Sequence, residues 1–383
     1  MSDMHFETAA IHVGQDPDVT TGAAIVPIYQ TSTYVQQAVG VHKGYEYSRT
    51  DNPTRRSLEQ CLAALEGSSH AIAFGSGMAA ITTLALTLES GSRVLLPDDV
   101  YGGTYRLFAK VMNRLEVEYS TVDMTDIDAV VGALEDSIEL VIAESPTNPA
   151  LKILDLKALA AASHDAGALF AVDNTFATPY IQRPLGLGAD VSIYSATKYL
   201  GGHSDLVAGS LATNDDELAE RLRFLQNAVG AVPGPFDSWL LLRGLKTLGI
   251  RMRAHSAGAA RIAEWLSGQD SVEQVMYPGL AEDPGRELAV AQMAAAGEPL
   301  FGGMVTIEVD SEARALEVCE RTELFWLGES LGGVESLIEH PGKMTHASLA
   351  GSGIEVSPGL IRLSVGIEHP DDLIADLERA LKN

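Results

Sequence analysis

A lysine, an aspartate and a group of hydroxyls and glycines stand in this chain at spacings that suit one kind of chemistry. Lys198 lies in Asp190-Val-Ser-Ile-Tyr-Ser-Ala-Thr-Lys-Tyr-Leu-Gly-Gly-His-Ser204. An apolar stretch brings Ser195 and Thr197 up to the lysine, and two glycines follow. Earlier, Leu169-Phe-Ala-Val-Asp173 reads as a buried strand ending in a carboxylate. Gly75-Ser-Gly-Met78 separates a short apolar run from a helical one. Glycines there let the backbone approach an anion closely, and helix N–H groups point at it. A lysine for a Schiff base, an acid for a pyridinium nitrogen, and hydroxyls and N–H groups for a phosphate are what pyridoxal phosphate (PLP) needs. Each feature also has a plainer reading. Lys198 could be a surface lysine, Asp173 a turn cap before Asn174, and Gly75-Ser-Gly77 a tight turn; Ser195 and Thr197 could bond locally. Their combination favours the cradle. Gly77 and Met78 N–H groups with Ser195 and Thr197 would take the phosphate, Asp173 the ring nitrogen, and Lys198 the aldehyde. Lys198 would later act as base, since burial or a nearby cation lowers a lysine's pKa.

The elements that must position these residues alternate. Helical spacing over 57–66 has Ser57 at its start and Gly67 as stop. Strands are expected over 70–74, 92–97, 116–122, 139–144, 168–173 and 191–194. Helices over about 78–89, 105–114 and 155–166 lie between them. This predicts an α/β fold, a mostly parallel sheet with helices on both faces, and ligands at the strands' carboxyl ends. A long helical segment over 236–267, bent at Gly244 or Gly249, reads as a bridge. Strands over 272–276, 303–309 and 360–365 then mix with helices over 312–321 and 370–382, which suits a smaller α+β domain. Residues 1–50 read as an N-terminal arm, 51–245 as the large domain and 246–383 as the C-terminal domain.

Composition narrows the function classes. The chain has 383 residues, too many for one ordinary core, and 46% hydrophobic content, ample for globular folding. Its 26 basic and 52 acidic residues give a net charge of −26, which disfavours nucleic acid and anionic lipid as partners. Cys61 and Cys319 have no Cys-x-x-Cys spacing, so a reducing cytoplasm is expected and no metal site is indicated. The N-terminal residues lack the basic and apolar regions of a signal peptide. The apolar stretch 71–88 is interrupted by Gly75-Ser-Gly77, so no membrane span is expected.

Further motifs make a resemblance plain. They are Gly44-Tyr-Glu-Tyr-Ser-Arg-Thr-Asp-Asn-Pro-Thr54, Asp99-Val-Tyr-Gly-Gly-Thr104, Glu144-Ser-Pro-Thr-Asn-Pro149 and Val172-Asp-Asn-Thr-Phe176. Ser330-Leu-Gly-Gly-Val-Glu-Ser-Leu337, Met344-Thr-His-Ala-Ser348 and Leu360-Ile-Arg-Leu-Ser-Val-Gly366 complete them. From about residue 7 onward the chain resembles the Cys/Met-metabolism PLP enzymes, the trans-sulfuration family. The resemblance implies fold type I with a seven-stranded sheet. It implies that Tyr101 stacks on the cofactor ring and helps at the leaving group. It implies that Tyr47 and Arg49 reach the phosphate of a neighbouring subunit, in a homotetramer built from two dimers. Arg362 would clamp the substrate α-carboxylate, a reading its charge within an apolar strand supports independently. Asn148 would lie near the ring hydroxyl and the carboxylate, with Arg106 and Ser336 contributing. His340 and His346 read as packing residues.

The same resemblance bears on the reaction. Glu46 and Glu335 match positions that face a distal ammonium group in cystathionine enzymes, a reading favoured over that of solvated loop acids. Gly103 stands where methionine γ-lyases carry a cysteine, and Glu335 where many β-lyases carry an aromatic residue. The resulting expectation is cystathionine γ-lyase, releasing cysteine, 2-oxobutanoate and ammonia. Cystathionine γ-synthase is the close alternative; methionine γ-lyase and a non-catalytic regulator on the same fold are more distant ones.

Overall fold

The computed structural model describes residues 4–135, 137–345 and 356–382. Seven strands form the larger sheet: β1 His70–Phe74, β2 Arg93–Pro97, β3 Glu118–Val122, β4 Leu140–Glu144, β5 Leu169–Asp173, β6 Val191–Tyr194 and β7 Gly209–Thr213. Their spatial order is β1-β7-β6-β5-β4-β2-β3. β7 runs antiparallel to both neighbours and the other pairings are parallel. Reversing β7 leaves β1 parallel to β6, so β1 to β6 all end at one edge of the sheet.

Alternation along the strands divides the core between two faces. In β5, Ala171 joins one cluster with Ile81, Leu84 and Leu222. Phe170 and Val172 join the other with Val130, Leu156 and Leu159. Helices Gly77–Ala85 and Asp216–Val229 thus cover one face, and Ile127–Leu134 and Leu156–Asp165 the other. All five residues of β4 are buried, as strands covered on both sides are.

Local signals explain most boundaries. Helix Pro53–Glu66 begins four residues before the expected Ser57 because Asn52 caps it, its side chain accepting from the N–H groups of Thr54 and Arg55. Asn at the cap followed by Pro at the first helical position is the stronger start. Gly67 ends the helix at φ 78°, as the stop signal required. The expected helix over 105–114 is instead a short α segment, Gly102–Arg106, followed by a π turn at Leu107–Val111 and a 3₁₀ turn at Met112–Leu115. The long bridge is two helices, Pro235–Leu245 and Leu248–Leu266, parted at Lys246 and Thr247.

The second helix of the bridge serves two cores. Leu248 and Met252 pack with the large domain, while Ala259, Ile262 and Leu266 pack with the smaller sheet. That sheet comprises β8 Gln274–Met276, β9 Met304–Glu308, β10 Trp326–Leu327, β11 Leu337–Glu339 and β12 Leu360–Ser364, in the order β10-β11-β12-β9-β8. Helices Glu312–Arg321 and Pro370–Leu381 back it through Val318, Leu373 and Leu377. The arm starts with a short helix, Phe6–His12, seated by Ala9 and Ala10. Beyond it the arm runs mostly exposed, with Val35 at 93% and Val39 at 102% exposure. No helix among the described residues is long and apolar enough to cross a membrane.

Candidate active site

The carboxyl ends of β1, β2, β4, β5 and β6 surround a cavity of about 300 Å³. Each strand delivers a side chain or a turn to it. After β1, Ser76 caps the helix Gly77–Ala85 by accepting from Ala79 N–H at 3.0 Å. The N–H groups of Gly77 and Met78 stand in the first turn, where no helical carbonyl can meet them. A Cβ on Gly77 would lie 2.9 Å from the Ser195 Cβ, so glycine is needed for the turn to sit against β6. Together these make an anion-sized corner of N–H and hydroxyl donors.

β6 continues into Ser195, Thr197 and Lys198. Ser195 N–H donates to Thr175 Oγ1 at 2.8 Å, which ties this turn to the one after β5. Thr197 Oγ1 is held locally, donating to Ala208 O at 3.1 Å and accepting from Ala208 N–H at 3.0 Å. Lys198 Nζ donates to Ser330 Oγ at 2.7 Å. Burial first, then the positive charge of Arg362, lowers the Lys198 ammonium to about 8. A lysine so placed loses its proton within reach of neutral pH, as a nucleophile or base must.

Asp173 ends β5 at the cavity wall and accepts from Thr175 N–H at 3.0 Å. Burial raises its carboxyl above the usual range, opposed by the Thr175 bonds. A cation placed against it would restore the anion. Tyr101 follows β2 and lines the cavity; a Cβ on Gly103 would come 2.3 Å from its ring and 2.9 Å from Met78 Sδ. The flat ring is therefore seated on a glycine.

Opposite these strands stands Arg362, in the middle of β12 and 2% exposed. Its Nη1 donates to Asn148 Oδ1 at 2.8 Å and pairs with Glu339 Oε1 at 3.0 Å; its Nη2 donates to Ser330 O at 2.9 Å. Its Nε has no partner among the described residues. A buried guanidinium held by several partners, with one N–H left unpaired among the described residues, is suited to a carboxylate ligand. The donors, the buried acid, the flat ring and the lysine fit a phosphorylated pyridine aldehyde, and the arginine fits the carboxylate of an amino acid beside it.

Of the residues expected from the sequence, Gly77, Met78, Tyr101, Asn148, Asp173, Ser195, Thr197, Lys198 and Arg362 line this cavity. Others lie elsewhere in this chain. Tyr47 and Arg49 are exposed on the arm, where Arg49 Nη1 donates to Asn227 O at 2.5 Å. Glu46 is exposed near His42, 3.5 Å from its Nε2. Arg106 is exposed at the end of Gly102–Arg106. Glu335 accepts from Ser204 Oγ. Ser336 is buried, and its N–H and Oγ both donate to Glu368, at 2.7 and 2.9 Å. His340 is buried and bonded at 2.8 Å to Pro358 O; His346 lies outside the described residues.

Sequence reasoning missed Ser330, Thr175, Glu144 and Glu339 as site groups. Ser330 and Glu339 join Lys198 and Arg362 through contacts between distant segments, which no spacing reveals. Thr175 and Glu144 were visible inside motifs, but nothing in their own neighbourhood separated them from turn residues.

Comparison with known proteins agrees with this chemistry. Residues 7–382 match the family described as Cys/Met metabolism PLP-dependent enzyme. A cystathionine gamma-synthase of Mycobacterium tuberculosis is 53% identical over 377 residues, covering 98% of this chain and 96% of the relative. A cystathionine beta-lyase of Lactococcus lactis is 50% identical over 379 residues, covering 98% of each. The solved structure of cystathionine gamma-lyase from Lactobacillus plantarum complexed with L-serine superposes with a TM-score of 0.92 at 42% identity, covering 98% of each chain.

Proposed function

The chain belongs to the PLP-dependent enzymes of cysteine and methionine metabolism, and we propose that within them it catalyses γ-replacement, joining cysteine to an O-acylated homoserine to form cystathionine. It is a trans-sulfuration enzyme that uses pyridoxal phosphate. The observation that carries the amino-acid chemistry is the chain of contacts Lys198–Ser330–Arg362–Asn148, which sets a proton-accepting amine beside a carboxylate receptor. The choice of γ-replacement rests on the synthase relative at 53% identity. γ-Elimination of cystathionine, the outcome favoured by the sequence motifs, is the second reading; the resemblance to a solved γ-lyase supports it.

Bound PLP supplies an electron sink for negative charge next to the amino-bearing carbon. In this reading Gly77, Met78 and Ser195 hold the phosphate, with Thr197 joining them by turning its hydroxyl from Ala208 O, and Asp173 provides the anion for the ring nitrogen. Tyr101 packs against the ring, and Arg362 with Asn148 orients the substrate carboxylate. Lys198 takes the α-proton and moves protons to and from the neighbouring carbons. Glu335 and Glu46 serve a distal ammonium. Tyr47 and Arg49 serve the phosphate of a second copy of this chain, a role supported by their exposure on the arm. Mixing Lys198→Ala and Arg49→Ala subunits tests that sharing: recovered activity supports it, and none counts against it.

The deciding experiment gives the purified holoenzyme O-acylated homoserine with cysteine, and separately cystathionine alone. Cystathionine formation with little release of 2-oxobutanoate from cystathionine supports the synthase. Rapid release of cysteine and 2-oxobutanoate from cystathionine, with little synthesis, overturns it in favour of the lyase. Glu335→Ala should lose more activity on cystathionine than on homocysteine; equal losses remove the distal-ammonium role.

A further inference from the structure

Glu144 ends β4 in direct register with Asp173 at the end of β5. Both line the cavity. Two neighbouring carboxylates in a buried wall do not both stay ionised unless donors or cations compensate them. Here the compensation is unequal. Asp173 accepts from Thr175, through N–H and side chain, and keeps part of its surface open to the cavity. Glu144 is 7% exposed and accepts from Tyr101 N–H at 3.2 Å. Asp99, bonded to Thr147 Oγ1 at 2.5 Å, adds a second acid to its surroundings. The cation facing this group is Arg362, already paired with Glu339 at 3.0 Å. Burial, followed by the charges of Asp173 and Asp99, accordingly pushes the Glu144 carboxyl well above its usual range. Two acids whose surroundings differ in this way divide the roles of proton holder and anion.

We propose that Glu144 is a positioning residue for the reaction: a neutral carboxyl that ties the Tyr101 backbone to the end of β4 and leaves Asp173 as the anion of that wall. A single anion balances a single protonated ring nitrogen. An ionised Glu144 would add a second charge facing an arginine already paired with Glu339, and would compete for the same proton. The inference rests on the reading that Asp173 meets the ring nitrogen.

Three substitutions of Glu144, one of Asp173 and one spectrum test it. Glu144→Ala removes the tie to Tyr101 and should weaken cofactor binding to the cofactor-free protein by about tenfold, roughly one buried hydrogen bond. Glu144→Gln restores a neutral acceptor of the same length and should recover more of that affinity than Glu144→Asp, whose carboxyl is one methylene short of Tyr101 N–H and intrinsically more acidic. Infrared difference spectra of wild type against Glu144→Gln should contain the carbonyl band of a protonated carboxyl at neutral pH. Better rescue by Asp than by Gln, or the absence of that band, overturns the proposal. Asp173→Asn, measured in parallel, should lose cofactor affinity. Unchanged affinity in that variant defeats the premise about Asp173, whereas its loss alongside a failed Glu144 ranking defeats only the inference about Glu144.

Discussion

Replacing Arg362 with methionine removes the cation from a buried pair and leaves the anion behind. Glu339 is 1% exposed, stands in register with Arg362 across β11 and β12, and holds Nη1 at 3.0 Å. Without the guanidinium, Glu339 keeps the donor Thr345 Oγ1 at 2.7 Å, while its Oε2 already lacks a partner among the described residues. Breaking such a pair from one side costs about 3–5 kcal/mol, most of it the uncompensated charge. Asn148 Oδ1 and Ser330 O also lose a donor, so the upper part of that range is expected. The double variant Arg362→Met with Glu339→Gln removes the orphaned charge. It should recover about half of the loss, roughly 2 kcal/mol, and the coupling in a double-mutant cycle should exceed that by the cost of Glu339→Gln alone. The sign with pH follows from the same geometry. Burial raises the Glu339 carboxyl, and removing Arg362 withdraws the chief influence that lowers it. The folded single variant therefore binds a proton more readily than the unfolded chain, and its deficit shrinks as pH falls. Urea unfolding of the cofactor-free protein at about pH 8 and about pH 5.5 measures each quantity, provided the slope is unchanged. A double variant as unstable as the sum of the two singles, or a deficit that does not change with pH, would refute the reasoning.

Other perturbations follow from the same structure. The Lys198 ammonium, lowered to about 8 from 10.5, costs the cofactor-free protein stability below about pH 8, and that cost is relieved as pH rises toward 10.5. Lys198→Met should therefore stabilise the cofactor-free protein at neutral pH by on the order of 2–3 kcal/mol, an advantage that fades in alkaline denaturation curves. Glu66 is buried against Ser192 and Tyr194, and burial raises it to about 7 from 4.5. The folded state thus loses stability as pH rises across that interval, so Glu66→Gln should gain on wild type between about pH 5 and pH 8 by up to roughly 3 kcal/mol. A constant difference in urea midpoints across that window counts against it. Gly103→Ala puts a Cβ 2.3 Å from the Tyr101 ring and must displace it. A loss in kcat/KM of about a hundredfold is expected, with a changed visible cofactor spectrum; wild-type values for both would show that the ring is not seated by this glycine.

The cofactor half of the site was legible because its residues travel as local motifs. A strand followed by a turn places Asp173, Ser195 and Lys198 at the same sheet edge whatever the rest of the chain does, and the Gly-Ser-Gly turn supplies its N–H groups over a few residues. Arg362 was visible for a different reason: a charge inside Leu360-Ile-Arg-Leu-Ser-Val365 has to be paired or used. The errors were in elements whose signals compete. Ser57 lost the helix start to Asn52-Pro53. The strand Gly209–Thr213 carries small residues with no distinctive period, so the antiparallel strand that lets β1 share the common edge went unseen.

The sequence by itself determined the alternating elements, the kind of cofactor and the residues nearest to it, since these depend on periodicity and on short stretches of backbone. Tertiary structure alone decided which partner each of those residues has. Lys198 meets Ser330 across 132 positions and Arg362 meets Asn148 across 214. Glu144 becomes distinct from an ordinary strand-end acid only when the sheet sets it beside Asp173. Burial, charge and proton occupancy depend on all neighbours in space, and a linear pattern carries little information about neighbours brought together by folding.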